Sequence, residues 1–223
     1  MTSVLDREMY SEAEAARLLG VSQNTLNYWL EGGERRGRAY QPVIRVEPRG
    51  HRAPVTWAEF IEAGLLREYR QRSVPMAELR AFIEILRERY GIPYPLADAR
   101  PFVNERQLVI EAQDRADLAA EFCLVAIVRN QPLLTPPAEA FFERVTWEGS
   151  SAAAWRPAED RQSPVLIDPD QRFGRPSVRG ISTEAIWEHV DGGEDEHEVA
   201  DDYGLSVGDV RWAMSYETGR RAS

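Results

Sequence analysis

Two glycine-to-serine steps, one near each end, constrain this chain more than any other feature: Gly20-Val21-Ser22 and Gly204-Leu205-Ser206. Glycine enters the left-handed conformation that ends a helix without a Cβ penalty. A serine hydroxyl then accepts one of the orphan amides that open the next helix. Each step reads as a helix end, a tight turn and a helix start, which is the geometry of a helix-turn-helix. The chain is expected to carry one such unit near each end.

At the first of them, Ser11 to Glu14 fits a capping box. A short helix should follow, burying Ala13, Ala16 and Leu19. Ser22 then opens a helix through Gln23, Asn24, Thr25, Leu26, Asn27, Tyr28, Trp29 and Leu30, with Val21, Leu26 and Leu30 facing the core. Gln23, Asn24, Thr25, Asn27 and Tyr28 are the candidate base-reading residues. Gln and Asn suit adenine, accepting from its N6 amine and donating to N7.

Charge supports this reading locally and opposes it elsewhere. All 27 basic residues are Arg, and the formal net charge is −10. Residues 1–60 balance at eight Arg and eight acids, whereas residues 157–223 hold seven Arg against fifteen acids. The window 35–56 carries six Arg against the lone Glu47. Within it, Val43 to Val46 and His51 to Val55 flank Glu47-Pro48-Arg49-Gly50, a composition suited to a type I turn. A β-hairpin wing is expected there, with Arg45, Arg49, His51 and Arg52 laid on phosphate, adding affinity without sequence preference.

Two helices should follow. One is capped by Thr56 with Glu59 and carries Trp57, Phe60, Ile61, Leu65 and Tyr69; the other is opened by Pro75 and carries Met76, Leu79, Ile83, Leu86 and Tyr90. Residues 102–168 change character. Gln107 to Ala112, Phe122 to Arg129, Phe141 to Trp147 and Pro164 to Ile167 read as strands of a small antiparallel sheet. The single cysteine, Cys123, sits in an apolar run and reads as a buried thiol.

Towards the C-terminus, Thr183 is expected to cap a helix to Asp191 that buries Ile186, Trp187 and Val190. Gly192-Gly193 breaks it, a short helix runs from Asp195 to Tyr203, and Ser206 caps the last, with Val207, Val210 and Met214. The acids Glu194, Asp195, Glu196, Glu198, Asp201 and Asp202 would repel phosphate, so this unit is not expected to read DNA independently; the acids read as a solvated helix face, with a dimerisation or toxin-docking surface as the alternative. Arg175, Arg179, Arg211, Arg220 and Arg221 are its cationic candidates. His51, His189 and His197 stand at no metal-ligand spacing, no nucleophile–base order stands out, and neither enzymatic chemistry nor a cofactor is expected.

The segment from Tyr10 to Leu86 resembles the winged-helix DNA-binding domain of MerR-type regulators. The likeness rests on Tyr10-Ser11, Ala15-Ala16-Arg17-Leu18-Leu19-Gly20-Val21-Ser22, Thr25-Leu26-Asn27-Tyr28-Trp29 and Gly50-His51-Arg52 leading to Trp57. Residues 164–217 resemble the domain-of-unknown-function family numbered four hundred and thirty-three. Here the residues are Asp168-Pro169, Gly174-Arg175-Pro176-Ser177-Val178-Arg179-Gly180, Gly192-Gly193-Glu194 and Ala200-Asp201-Asp202-Tyr203-Gly204-Leu205-Ser206. Together they resemble the larger VapB-type antitoxins.

These resemblances imply an α+β chain, mainly α with small antiparallel β. They imply a winged helix-turn-helix over 1–97, a small sheet connector over 98–163 and an antitoxin-like trihelical domain over 164–223. The implied partners are an operator in double-stranded DNA, a PIN-like ribonuclease toxin and a second copy of the chain. Arg175, Arg179, Glu194, Asp195, Glu196, Arg220 and Arg221 are the candidates for toxin binding or dimerisation. A stand-alone regulator without a toxin, sensing a small molecule in the 102–160 region, is the second reading. No membrane span and no signal peptide is expected, which points to the cytoplasm.

Overall fold

The computed structural model describes residues 3–35, 37–50, 52–70, 76–120, 123–128 and 131–221. The chain divides into two compact units, Met1–Glu143 with Trp147–Ala152, and Arg144–Thr146 with Ala153–Ser223. It is mainly helical with small antiparallel sheets. No helix among the described residues is long and apolar enough to cross a membrane.

In the first unit, strand β1 (Glu8–Tyr10) leads into helices α1 (Glu12–Leu19) and α2 (Gln23–Glu31). The Ser11 hydroxyl accepts the Glu14 amide at 3.2 Å and that of Ser22 accepts the Thr25 amide at 3.2 Å. Gly20 closes α1 at φ 64, ψ 36, and the Val21 amide reaches back to the Ala16 carbonyl at 3.0 Å. The turn thus forms as expected, although α1 buries Ala15, Ala16, Leu18 and Leu19 and leaves Ala13 exposed.

A hairpin of β2 (Gly33–Arg35) and β3 (Arg38–Tyr40) follows α2, in register Gly33↔Tyr40, Glu34↔Ala39 and Arg35↔Arg38. This is where the two-stranded element of the unit's basic region lies, and not at 43–55. Val43 and Ile44 are buried instead, their amides both donating to the Trp29 carbonyl at 2.9 Å. The apolar pair that read as a strand serves to pin the chain to the end of α2. Strand β4 (Val55–Thr56) pairs back on β1, and α3 (Trp57–Arg70) starts at once.

Helix α3 is the centre of the unit, with every side chain from Trp57 to Leu66 apart from the glycine buried. Thr56 and Glu59 cap it reciprocally, at 3.3 and 2.9 Å. Phe60 packs on Tyr10 and stacks on Trp57, at centroid distances of 5.0 and 5.5 Å. Helix α4 (Met76–Tyr90) buries Leu79, Phe82, Ile83 and Leu86; the Pro75 expected to open it lies outside the described residues. Short α5 (Arg100–Val103) and α6 (Arg106–Arg115) come next.

Two expected strands are helical. Gln107 to Ala112 lies inside α6, where Val109, Ala112 and Gln113 are buried at spacings of three and one, one face of a helix. Gln113 then ties α6 to strand β5 (Val125–Val128), its side chain donating to the Val125 carbonyl at 2.9 Å and accepting the Leu124 amide at 2.8 Å. Phe122 and Arg129, the expected ends of that strand, lie outside the described residues. Strand β6 (Gln131–Leu134) pairs with β5. Phe141 to Arg144 ends helix α7 (Pro136–Arg144), and only Val145 onward is extended, as β7 (Val145–Glu148), followed by β8 (Ser151–Trp155). Pro136-Pro137 occupies the first helical positions, where no amide needs a partner.

In the second unit, β9 (Val165–Leu166), β10 (Ser177–Val178) and β11 (Ile181–Ser182) form a three-stranded antiparallel sheet with β10 central. Helices α8 (Thr183–Asp191), α9 (Glu196–Tyr203) and α10 (Val207–Arg221) close over Val165, Val178, Ile186, Val199, Ala200, Val210 and Ala213. Gly204 repeats Gly20, at φ 65, ψ 35, with the Leu205 amide bonded to the Ala200 carbonyl at 2.8 Å. Ser206 and Asp209 then cap α10 reciprocally, at 3.1 and 3.0 Å. Thr183 is not the cap of α8. It is the first helical residue, buried, and its hydroxyl donates to Glu217 at 2.6 Å.

Candidate functional site

The first unit presents one candidate surface, formed by the start of α2, the β2–β3 hairpin and the segment 45–54. Gln23 and Asn24 are exposed in the first turn of α2, held in register by the Ser22 cap. Thr25 is partly buried, its hydroxyl engaged with that of Ser22 at 2.8 Å. Asn27 is half-buried and engaged within the unit. Its amide donates to both carboxylate oxygens of Glu12, at 3.2 and 3.0 Å, and Glu12 is itself buried. Tyr28 is half-buried and meets Tyr40 of β3 edge-on at 6.4 Å. Of the five expected base readers, two are displayed outward without reserve.

The arginines separate in the same way. Arg45 is 2 % exposed and does not lie on the surface where a phosphate contact was expected. Its Nε and Nη2 donate to Glu59 at 2.9 and 3.2 Å, Nη2 also reaches the Pro54 carbonyl at 3.1 Å, and Nη1 bonds Glu31. Burial pulls the guanidinium pKa down, but the hydrogen bond and charge of Glu59, with Glu31, more than offset this and hold it above its ordinary value. Arg49 is partly exposed yet also donates to Glu59, at 2.8 and 3.0 Å. Glu31 accepts the amides of Arg49 and Gly50 at 2.9 and 2.8 Å. These two acids therefore organise the segment that read as a wing. Arg52 is exposed, with no partner among the described residues. His51 lies outside the described residues.

Behind this surface, Glu62 is fully buried on α3. Burial pushes its carboxyl up to about 8, against the opposing pull of Arg87 and the Leu96 amide, which donates to it at 2.9 Å. Its second oxygen has no hydrogen-bond partner among the described residues.

The second unit presents a different surface. Three of the six expected acids have work within their own fold: Glu194 meets His189 Nδ1 at 2.7 Å, Asp195 caps α9 by accepting the His197 amide at 2.8 Å, and Glu196 pairs with Arg211 at 2.7 Å. Glu198, Asp201 and Asp202 are exposed. Arg220 and Arg221 do not form a free tail. Helix α10 runs through both; Arg220 donates to Glu217 at 2.9 Å, and Arg221 lies 3.7 Å above the Trp187 ring. Arg179 pairs with Asp209 at 3.4 Å while staying 67 % exposed. Arg175 is exposed and has no partner among the described residues.

Sequence reasoning passed over Phe173, which is 91 % exposed and sits at φ 56, ψ 37 in the β9–β10 connection. Nothing in the sequence distinguishes it from a core phenylalanine. Among the described residues, no group of three or more His, Cys, Asp or Glu side chains is arranged to hold a metal ion.

Residues 165–216 match the family described as "Protein of unknown function (DUF433)". Over 94% of its length the chain is 25% identical to a Mycobacterium tuberculosis protein named "Putative antitoxin VapB45", covering 93% of that protein. The crystal structure of Rv2018 from the same organism superposes with a TM-score of 0.77 at 23% identity, over 94% of this chain and 99% of that one, so the fold is shared. Rv2308, an uncharacterized protein of Mycobacterium tuberculosis, is 37% identical over 97% of this chain and 92% of its own length. The chain belongs to the protein family of Rv2308, with a C-terminal DUF433 segment.

Proposed function

We propose that this chain is the antitoxin of a type II toxin–antitoxin module. In this reading the first unit is a MerR-like winged helix-turn-helix that binds operator DNA, and the second restrains a PIN-like ribonuclease. The observation that carries it is the pair Gln23 and Asn24, exposed at the capped start of α2 beside a hairpin whose sequence includes Arg35, Arg36 and Arg38. A helix presented by its first turn next to a basic hairpin suits the major groove and its flanking phosphates. The toxin half of the reading rests on the likeness to the protein named as an antitoxin and on the acidic balance of residues 157–223. Reading two half-sites takes two copies, and the apolar residues Ile127, Val128 and Leu133, exposed on β5 and β6, offer a surface to a second copy. The module would act in the cytoplasm.

The test is co-expression with any PIN-like ribonuclease found encoded beside this gene, paired with titration of the purified chain against its own promoter. Growth rescue and a shifted promoter fragment are expected. Promoter binding without rescue would leave the stand-alone regulator as the better reading.

A further inference from the structure

Phe173 heads a hydrogen-bonded loop that holds its ring 91 % exposed. Arg172 (φ 50), Phe173 (φ 56) and Gly174 (φ 70) are three successive left-handed residues, a conformation that bulky side chains adopt rarely and that marks functional strain when the surroundings enforce it. Here they do. Asp168 accepts the amide of Asp170 and the side chain of Gln171, both at 2.8 Å. The Gln171 carbonyl accepts the Gly174 amide at 2.9 Å, and the Arg172 carbonyl accepts the Arg175 amide at 3.1 Å. Arg172 Nε donates to the Gly180 carbonyl at 2.7 Å, tying the loop to the β10–β11 turn that carries Arg179. A large aromatic ring is thereby held out in water, 91 % exposed.

The cations of the loop say what it meets. Arg172 and Arg175 flank Phe173 in the chain, and the Arg172 bond to Gly180 ties the loop to the turn that carries Arg179, within a unit otherwise dominated by acids. Arg175 is uncommitted, whereas Glu194, Glu196, Arg220 and Arg221 are paired within the fold. An aromatic anchor with arginines about it is the composition of a protein–protein hot spot. The exposed carboxylates of α9 in the same unit disfavour a polyphosphate backbone as its occupant. We propose that the loop Asp168–Pro176, with Arg179 beside it, is a docking knob in which Phe173 enters an apolar pocket rimmed by carboxylates on a partner protein. That partner is the ribonuclease of the module, whose metal-binding acids supply such a rim. This rests on the antitoxin reading above.

The test titrates the full-length chain, F173S, R175E and D201N/D202N against the PIN-like ribonucleases of the source genome, purified with their metal chelated. A short duplex of random sequence serves as a second probe. F173S is expected to weaken binding of one ribonuclease about 30-fold or more, and R175E to weaken it and flatten its salt dependence. D201N/D202N should bind as the parent does, and F173S should keep or raise the melting temperature, because a ring 91 % exposed has little burial to lose. If F173S binds that ribonuclease like the parent, the knob is overturned while the antitoxin reading stands. If no ribonuclease binds the parent chain, the antitoxin reading fails and the knob with it. If F173S loses duplex affinity and keeps ribonuclease affinity, the loop is a nucleic-acid contact and the proposal is wrong.

Discussion

Arg45 and Glu59 form a buried ion pair at 2.9 Å, with their side chains 1% and 0% exposed. Removing one partner of such a pair strands a charge away from water, at a cost of about 3–5 kcal/mol. R45A is expected to lower the urea midpoint accordingly. R45K keeps the charge but loses the fork that spans Glu59, Glu31 and the Pro54 carbonyl, and should fall between. A midpoint for R45A equal to the parent's would show the pair to be dispensable.

Glu62 makes stability depend on pH. Its folded-state pKa of about 8 lies above the ordinary 4.5, so between those values the folded chain holds a proton that the unfolded chain has released. Stability therefore falls as pH rises from about 5 to 8, by on the order of 1 kcal/mol per pH unit, and levels off above. E62Q should remove this slope and be the more stable protein at pH 8. Parallel melting curves for the two proteins across that range would contradict the assignment.

The exposed start of α2 and its inward face should answer differently to mutation. Q23A and N24A are expected to cost about 1–3 kcal/mol on the promoter site with little change on random DNA. N27A leaves the buried Glu12 carboxylate without its amide donors, so it should lower stability by about 1–3 kcal/mol. Specificity lost in N27A at unchanged stability would return Asn27 to the base-reading set.

Arg52 and Arg49 make a second contrast. R52Q should reduce the slope of log K against log salt by about one unit, the mark of one lost phosphate contact. R49Q should act chiefly on stability, because Arg49 is engaged with Glu59. Equal slopes for R52Q and the parent chain would take Arg52 off the DNA.

F173G should stabilise the second unit. Glycine relieves a left-handed residue of a penalty of about 1–2 kcal/mol, and a ring 91 % exposed gives up little burial. Greater flexibility of the unfolded glycine chain offsets part of the gain, so the net rise should be about 1 kcal/mol or less. Calorimetry showing a drop in melting temperature would mean the ring packs on its own unit.

The parts of the fold that were legible in the sequence are those fixed within four residues. Ser11, Ser22, Gly20, Gly204 and Ser206 act through amides and carbonyls next to them, so their roles could be read directly. Arg45 could not be read so, because its partners stand fourteen residues away on either side, at Glu31 and Glu59. A basic run looks solvated until the acids that pair with it are placed. Gln107 to Ala112 failed for another reason: a short apolar run fits either period, and its burial on α6 depends on contacts with β5. The start of α7 carried a readable sign in Pro136-Pro137, and the hairpin at 33–40 carried one in Gly33 and Gly37.

At Gly32 a Cβ would stand 2.2 Å from the Tyr40 carbonyl oxygen and 2.8 Å from the Gln41 carbonyl carbon. The returning strand of the hairpin thus passes directly over the last turn of α2, with no side chain to act as a spacer. Helix and hairpin cannot swing independently. They behave as a caliper of fixed opening, and whatever lies between its jaws must match that gap or deform to fit it.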